Sequence, residues 1–154
     1  SQKSTPVVIL DIPHIWSSWV RQTIATIDEV IMVAEPDLAN LRNAKNLSDT
    51  IKALRPTESE PLLVLNKVGV PRRPEIPATE FATSVECKLL GQVAFDAQTF
   101  GTAANNGQMI AEVSANHRAN EMFRLIGMHV TGRNTPERVA SKTGLKIPFL
   151  KKRA

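Results

Sequence analysis

Three short apolar runs, each followed by polar residues, constrain this chain more than anything else in it. They lie at residues 7–12 (VVILDI), 29–35 (EVIMVAE) and 61–67 (PLLVLNK). The first shows no alternation of polar and apolar residues, the mark of a strand covered on both faces, as in a parallel sheet. Between the runs the period changes. Trp16, Trp19, Val20, Thr23, Ile24 and Ile27 recur at helical spacing, predicting a helix over 16–27 after Pro13. Leu38, Leu41, Ala44, Leu47, Ile51 and Leu54 line one face of a second helix, with Asp37 as its N-cap and Pro56 as its stop. Strand, helix, strand, helix, strand at this spacing predicts an α/β fold with a mostly parallel sheet flanked by helices. Beyond a proline-bearing loop (Pro71, Pro74, Pro77), the pattern predicts a short helix over 78–88 and a strand over 89–95. A loop or irregular helix over 98–107 and a last helix over 115–130 follow.

Charge divides the chain. Residues 1–130 hold 12 Lys and Arg against 14 Asp and Glu, a net of −2; residues 131–154 hold 7 against 1, a net of +6. The expected organisation is therefore a domain over 1–130 and a basic, flexible tail over 131–154. A mildly acidic body argues against a nucleic-acid partner, which wants a basic stripe. The longest apolar runs fall far short of the ~20 residues that cross a bilayer. A single cysteine, Cys87, excludes an intrachain disulfide and a thiolate metal cluster. His14, His117 and His129 have no carboxylate or cysteine at ligand spacing, so no metal site is expected from them. His117 and Arg118 read as solvated.

Each run ends in polar residues: Asp11, then Glu35 with Asp37, then Asn66 with Lys67, and Asp96 closes the strand over 89–95. In open α/β sheets the ligand crevice lies at that carboxyl edge. The plainer account is that strand ends meet water. Asp11 before Ile12-Pro13 suits an acid beside a magnesium-bound water and phosphates, or an acid capping the next turn. Asn66-Lys67 suits an amide and a cation for a base or phosphate, or a turn.

In their order, VVILDIP, IDEVIMVAEPDLANLRNAKNL, PLLVLNKVG and FGTAANNGQMI resemble the C-terminal half of the MinD/ParA class of deviant P-loop ATPases, over about residues 5–130. Within that class the chain is most similar to the pilus-assembly ATPases called CpaE or TadZ. The resemblance implies a P-loop NTPase-like fold, ATP and magnesium as cofactors of the full-length protein, and nucleotide-dependent dimerisation that controls partner binding. It implies that Asp11 is the catalytic acid at the magnesium–water shell, acting on the metal indirectly, and that Asp11 and Pro13 belong to the γ-phosphate switch. Asn66 falls on the adenine-recognising Asn, Lys67 beside it, and Phe95 and Asp96 on a strand end near the base. The stretch AANNG at 103–107 resembles a loop before the last helices. Implied partners are a second copy and pilus, secretion or pole-localised proteins. The implied place is the cytoplasm, or the periphery of the inner membrane or cell pole.

The chain departs from that class in one respect. It holds no G-x-x-x-x-G-K-[ST], and its seven glycines are scattered at 69, 91, 101, 107, 127, 132 and 144. The expectation is a piece lacking the phosphate-loop strand, unable to hydrolyse ATP by itself and unlike an intact adenine pocket. Without that strand, an apolar edge is left with unpaired backbone groups, which predicts dimerisation or re-pairing. Two other functions compete: a non-enzymatic MinD-like localisation scaffold, and a ParA-like partition protein contacting DNA. Trp16 and Trp19 suit a partner-binding face, although core packing is the plainer role for at least one. In the tail, Phe149, Lys151, Lys152 and Arg153 mix apolar and basic groups suited to weak contact with an anionic membrane. The stretch before them resembles the opening of a helix-turn-helix too short to be complete.

Overall fold

Side-chain caps start most of the helices. In the computed structural model, which describes residues 7–13, 15, 17–57 and 60–132, α1 (Ser18–Thr26) begins where the Ser17 hydroxyl accepts from the Val20 N–H. β1 (Ile31–Ala34) follows. α2 (Leu38–Leu54) starts at Asp37, whose carboxylate accepts from the Asn40 N–H at 2.8 Å, so the predicted cap is present. It ends two residues before Pro56, as the steric restriction on pre-proline residues requires. Arg55, at its end, is buried and donates to the carbonyls of Ile24 (3.1 Å), Ile27 and Asp28 (2.9 Å), tying the turn before β1 to α2.

β2 (Leu62–Val68), α3 (Ala78–Val85), β3 (Lys88–Ala94), α4 (Ala97–Asn106), α5 (Ile110–Val113) and α6 (Arg118–Thr131) complete the described chain. The three strands are all parallel, in the order β1-β2-β3. Ile31 to Ala34 sit beside Leu62 to Leu65 in unbroken register. The helices α1, α2 and α3 cover one face, where Val20, Ile24, Met32, Ala34, Ile51, Leu63, Leu65, Phe81 and Val85 form the larger core. α6 covers part of the other face, packing Ala119 and Met122 on Val64 and Val93. The central strand is buried on both sides, with Leu63 and Leu65 at 0% exposure. Among the described residues no helix is long and apolar enough to cross a membrane.

Several expectations are corrected. Residues 7–12 form no strand: residues 7–13 have no regular structure, and Val8, Ile9 and Leu10 are exposed. An apolar run becomes a strand only when a neighbour takes its backbone hydrogen bonds, and among the described residues no strand pairs with it. Asp11 therefore does not stand at a strand end. The helix predicted over 78–88 stops at Val85, because Glu86 turns left-handed (φ +54°) and its N–H closes the last turn. The stretch at 98–107 is a regular helix, started by the Asp96 cap and stopped by Gly107 (φ +63°), so residues 103–107 are its last turn rather than a loop. The last helix starts at Arg118, and α5 precedes it. His14, Trp16 and the tail from 133, with Phe149, Lys151, Lys152 and Arg153, lie outside the described residues.

Gly91 permits the seating of α6 on β3. A Cβ there would overlap the Met122 Sδ, and Met122 is buried. Gly91→Ala should destabilise the fold by about 1 kcal/mol, the low end of the overpacking range, because the flexible end of Met122 can shift. The double variant Gly91→Ala/Met122→Ala should be less destabilised than the two single changes summed. Urea unfolding of all four proteins measures that coupling.

Candidate functional site at the carboxyl edge of the sheet

Because the strands are parallel, their C-terminal ends share one edge, and the polar residues after them meet there. Glu35, just past β1, is held by the Lys67 ammonium at 2.6 Å and by the Arg73 guanidinium. Arg73 also donates to the Lys67 carbonyl at 2.6 Å and to Glu75 at 3.3 Å. Glu75 in turn accepts from the Gly69 N–H at 2.8 Å and the Val70 N–H at 3.2 Å. The loop folds back through left-handed conformations at Lys67 (φ +52°), Gly69 (φ +83°) and Arg72 (φ +62°). It is laced to the end of β1 by Ile76 N–H donating to the Pro36 carbonyl at 2.8 Å. The Lys67 hydrogen bond, then that from Arg73, lowers the Glu35 pKa from the ordinary carboxylate value. Lys67 is thus a paired cation, and an anionic ligand would compete with Glu35 for it.

Asn66 is half-buried, and its carbonyl oxygen accepts from the Lys67 N–H at 2.9 Å. Among the described residues its NH2 meets no acceptor. The side chain therefore presents two donors and one remaining lone pair. Phe95 follows β3 with its N–H on the Val68 carbonyl at 2.8 Å, and the residue is 40% exposed at the same edge. A planar group can stack there.

Asp96 caps α4, accepting from the Thr99 N–H at 2.9 Å and the Thr99 hydroxyl at 2.7 Å. His117 Nε2 stands 3.1 Å from the same carboxylate, while His117 Nδ1 accepts from the Ala119 N–H and caps α6. That cap makes Nε2 the protonated nitrogen of the neutral ring, so it donates to Asp96. Phe100 meets the imidazole edge-on at 5.8 Å. His117 is thus a structural link between two helix starts, not the solvated residue expected from the sequence. Both oxygens of the Asp96 carboxylate accept a hydrogen bond in this arrangement.

The structure brings Asn66, Lys67, Phe95 and Asp96 to one edge. Asp11 and Pro13 are exposed on the irregular segment before α1, with no hydrogen bond to that edge among the described residues. Trp19 is 56% exposed on α1, so its ring is not core. Among the described residues no group of three His, Cys, Asp or Glu side chains is placed to hold a metal ion. Cys87 is buried against the Ser48 hydroxyl, and burial raises its thiol pKa, which suits packing rather than nucleophilic chemistry. The sequence pattern singles out none of Arg73, Glu75 and Thr99, and it gives His117 only as a solvated residue. The only hint was the charge order RRPE at 72–75, complementary to Glu35. No known family model and no curated protein matches this chain.

The Asp96 pKa is lowered to about 2, first by the Thr99 N–H, then by the Thr99 hydroxyl and His117. A depressed carboxylate contributes stability that is present above its unfolded pKa of ~3.9 and lost as pH falls through the folded value. Asp96→Asn keeps a capping oxygen but cannot titrate. It should flatten the dependence of stability on pH between about 4 and 2, read as urea midpoints across that range.

Proposed function

We propose that this chain is the C-terminal part of an ATP-binding α/β domain of the MinD/ParA kind, similar to the CpaE and TadZ pilus-assembly ATPases. In that reading, nucleotide-dependent dimerisation controls partner binding. The observation that carries it is the convergence of Asn66, Lys67 and Phe95 at the carboxyl edge of a three-stranded parallel sheet, the place where such sheets hold nucleotides. The Asn66 NH2 suits a donor to a ring nitrogen of adenine, and its remaining lone pair suits the exocyclic amine. The Phe95 ring suits a base stacked against it. Lys67, held by Glu35, adds positive charge beside the phosphates without being a free cation. Magnesium, when bound, would screen the phosphate charge, and Asp11 would act on its water shell from the segment before α1.

The phosphate loop of this reading belongs upstream of residue 1, so the 154-residue chain by itself is not expected to hydrolyse ATP. One or two hydrogen bonds from Asn66 are too few to offset the cost of association. A non-enzymatic scaffold of the same fold is the second reading. It is favoured by the engagement of Lys67 with Glu35, which leaves no unpaired lysine at the end of β2.

The residues encoded immediately upstream, and nucleotide titration of the polypeptide that includes them, test the proposal. The expected result is a G-x-x-x-x-G-K-[ST] before residue 1 and saturable binding of a fluorescent ATP analogue. Asn66→Ala in that polypeptide should weaken binding roughly tenfold, the usual effect of removing a base-directed hydrogen-bonding group. Absence of the motif with no nucleotide binding favours the scaffold and overturns the first reading.

A further inference from the structure

The loop between β2 and α3 gathers its hydrogen-bond donors onto one carboxylate. Glu75 Oε1 accepts from the Gly69 N–H at 2.8 Å, the Val70 N–H at 3.2 Å and the Arg73 guanidinium at 3.3 Å. Glu75 Oε2 accepts only from the Gly69 N–H, at 3.0 Å. Three donors exceed the two lone pairs of one oxygen, and the bonds from Val70 and Arg73 are long for a charged acceptor. Arg73 Nε is buried and has no acceptor among the described residues. The donors of this loop therefore outnumber what one planar carboxylate can serve.

Successive backbone N–H groups turned toward one point form a nest, a concavity suited to anions. The left-handed turn at Gly69 (φ +83°) brings its N–H and that of Val70 onto the same oxygen. Gly69 is exposed, and a Cβ added to it would meet no atom within 4 Å, so the backbone there is open to a ligand. The loop also keeps its shape independently of Glu75. Ile76 N–H donates to the Pro36 carbonyl at 2.8 Å and Arg73 N–H to the Val70 carbonyl at 3.2 Å. Only the side-chain torsions of Glu75, which is partly exposed, have to change for its carboxylate to leave.

We propose that the loop from Gly69 to Arg73 is a binding site for a phosphoryl group, and that Glu75 is its internal stand-in, displaced when that group arrives. A phosphoryl group brings three oxygens where the carboxylate brings two, enough for the Gly69 N–H, the Val70 N–H and the Arg73 fork to have one each. Glu75 acts as an intramolecular competitor that lowers the affinity of the site without closing it. The exchange puts one anion where another stood, and Glu35 keeps its pairs with Lys67 and Arg73. The phosphoryl group is either free phosphate or part of a nucleotide at Asn66 and Phe95. The nest itself uses neither residue, so it stands or falls apart from the ATP-binding reading.

Titration of the 154-residue chain with inorganic phosphate at constant ionic strength, followed by NMR, tests the proposal. The Gly69 and Val70 amide resonances should shift saturably, and the Glu75 carboxylate resonance should move toward that of a solvated glutamate. Glu75→Gln removes the competing charge and should tighten binding about tenfold, the effect of a competitor that fills the site about nine-tenths of the time. Glu75→Gln/Arg73→Lys keeps the positive charge but loses the fork, and should bind more weakly than Glu75→Gln. Adenosine monophosphate separates the two sources. It should bind more tightly than phosphate, and lose that advantage in Asn66→Ala, if a nucleotide carries the group; equal affinities assign the site to free phosphate. Amides at 69 and 70 that respond in neither wild type nor Glu75→Gln overturn the proposal. So does a wild-type response that leaves the Glu75 carboxylate unmoved, or an Arg73→Lys change without effect. If Glu75→Gln does not fold, the wild-type amide and carboxylate resonances decide by themselves.

Discussion

A parallel strand in the middle of a sheet must be covered on both faces, and here that demand falls on Leu62, Leu63, Val64 and Leu65. Leu63 and Leu65 hold the helix side, packed among Ile51, Phe81 and Val85, and Val64 holds the α6 side. Among the described residues β1 and β3 pair only with β2, so the ladder hydrogen bonds described for both depend on it. The carboxyl-edge cluster depends on it too. Asn66 and Lys67 are its continuation, and Lys67 turns left-handed where the strand leaves the core. A polar substitution at Leu63 would bury an unsatisfied group on the helix side of all three strands.

The edge beyond those strands is an electrostatic arrangement more than an open pocket. Glu35, Lys67, Arg73 and Glu75 form an alternating chain of charges that fixes the loop after β2 against the end of β1. Asp96 and His117 do the same for the starts of α4 and α6. Both sets hold the surroundings of Asn66 and Phe95 in place while their own charged groups are spent on each other. A ligand at this edge would find a donor amide and an exposed ring between two rigid ionic ties. The site reading therefore rests on Asn66 and Phe95 more than on the charged residues around them.

The legibility of the sequence varied with how far each element's partners lie along the chain. α2 was readable to the residue at its start, because Asp37 and Asn40 settle the cap between themselves. α4 is less legible: in the sequence Asp96 suggests a ligand residue, although its capping partner Thr99 lies only three positions on. His117 was unreadable as a cap link, since its second partner lies 21 residues away. The charge pair of Glu35 with Arg73, 38 residues apart, left only the weak hint of opposite signs in two loops.

Residues 7–12 and 61–67 look alike as local patterns, and that likeness marks the limit. The sequence alone determines the α/β class, strands over 29–35, 61–67 and 89–95 that the structure places within two residues at 31–34, 62–68 and 88–94, and the polar residues that end them, since periodicity, caps and breakers act within a few residues. Which apolar run became a strand was decided by tertiary structure. Leu62 to Leu65 have paired strands on both sides, whereas among the described residues Val8 to Leu10 pair with none and lie exposed. The engagement of Lys67 and the double cap at His117 were decided the same way. A backbone ladder and an ion pair each need a second group, and only the folded chain determines whether it is there.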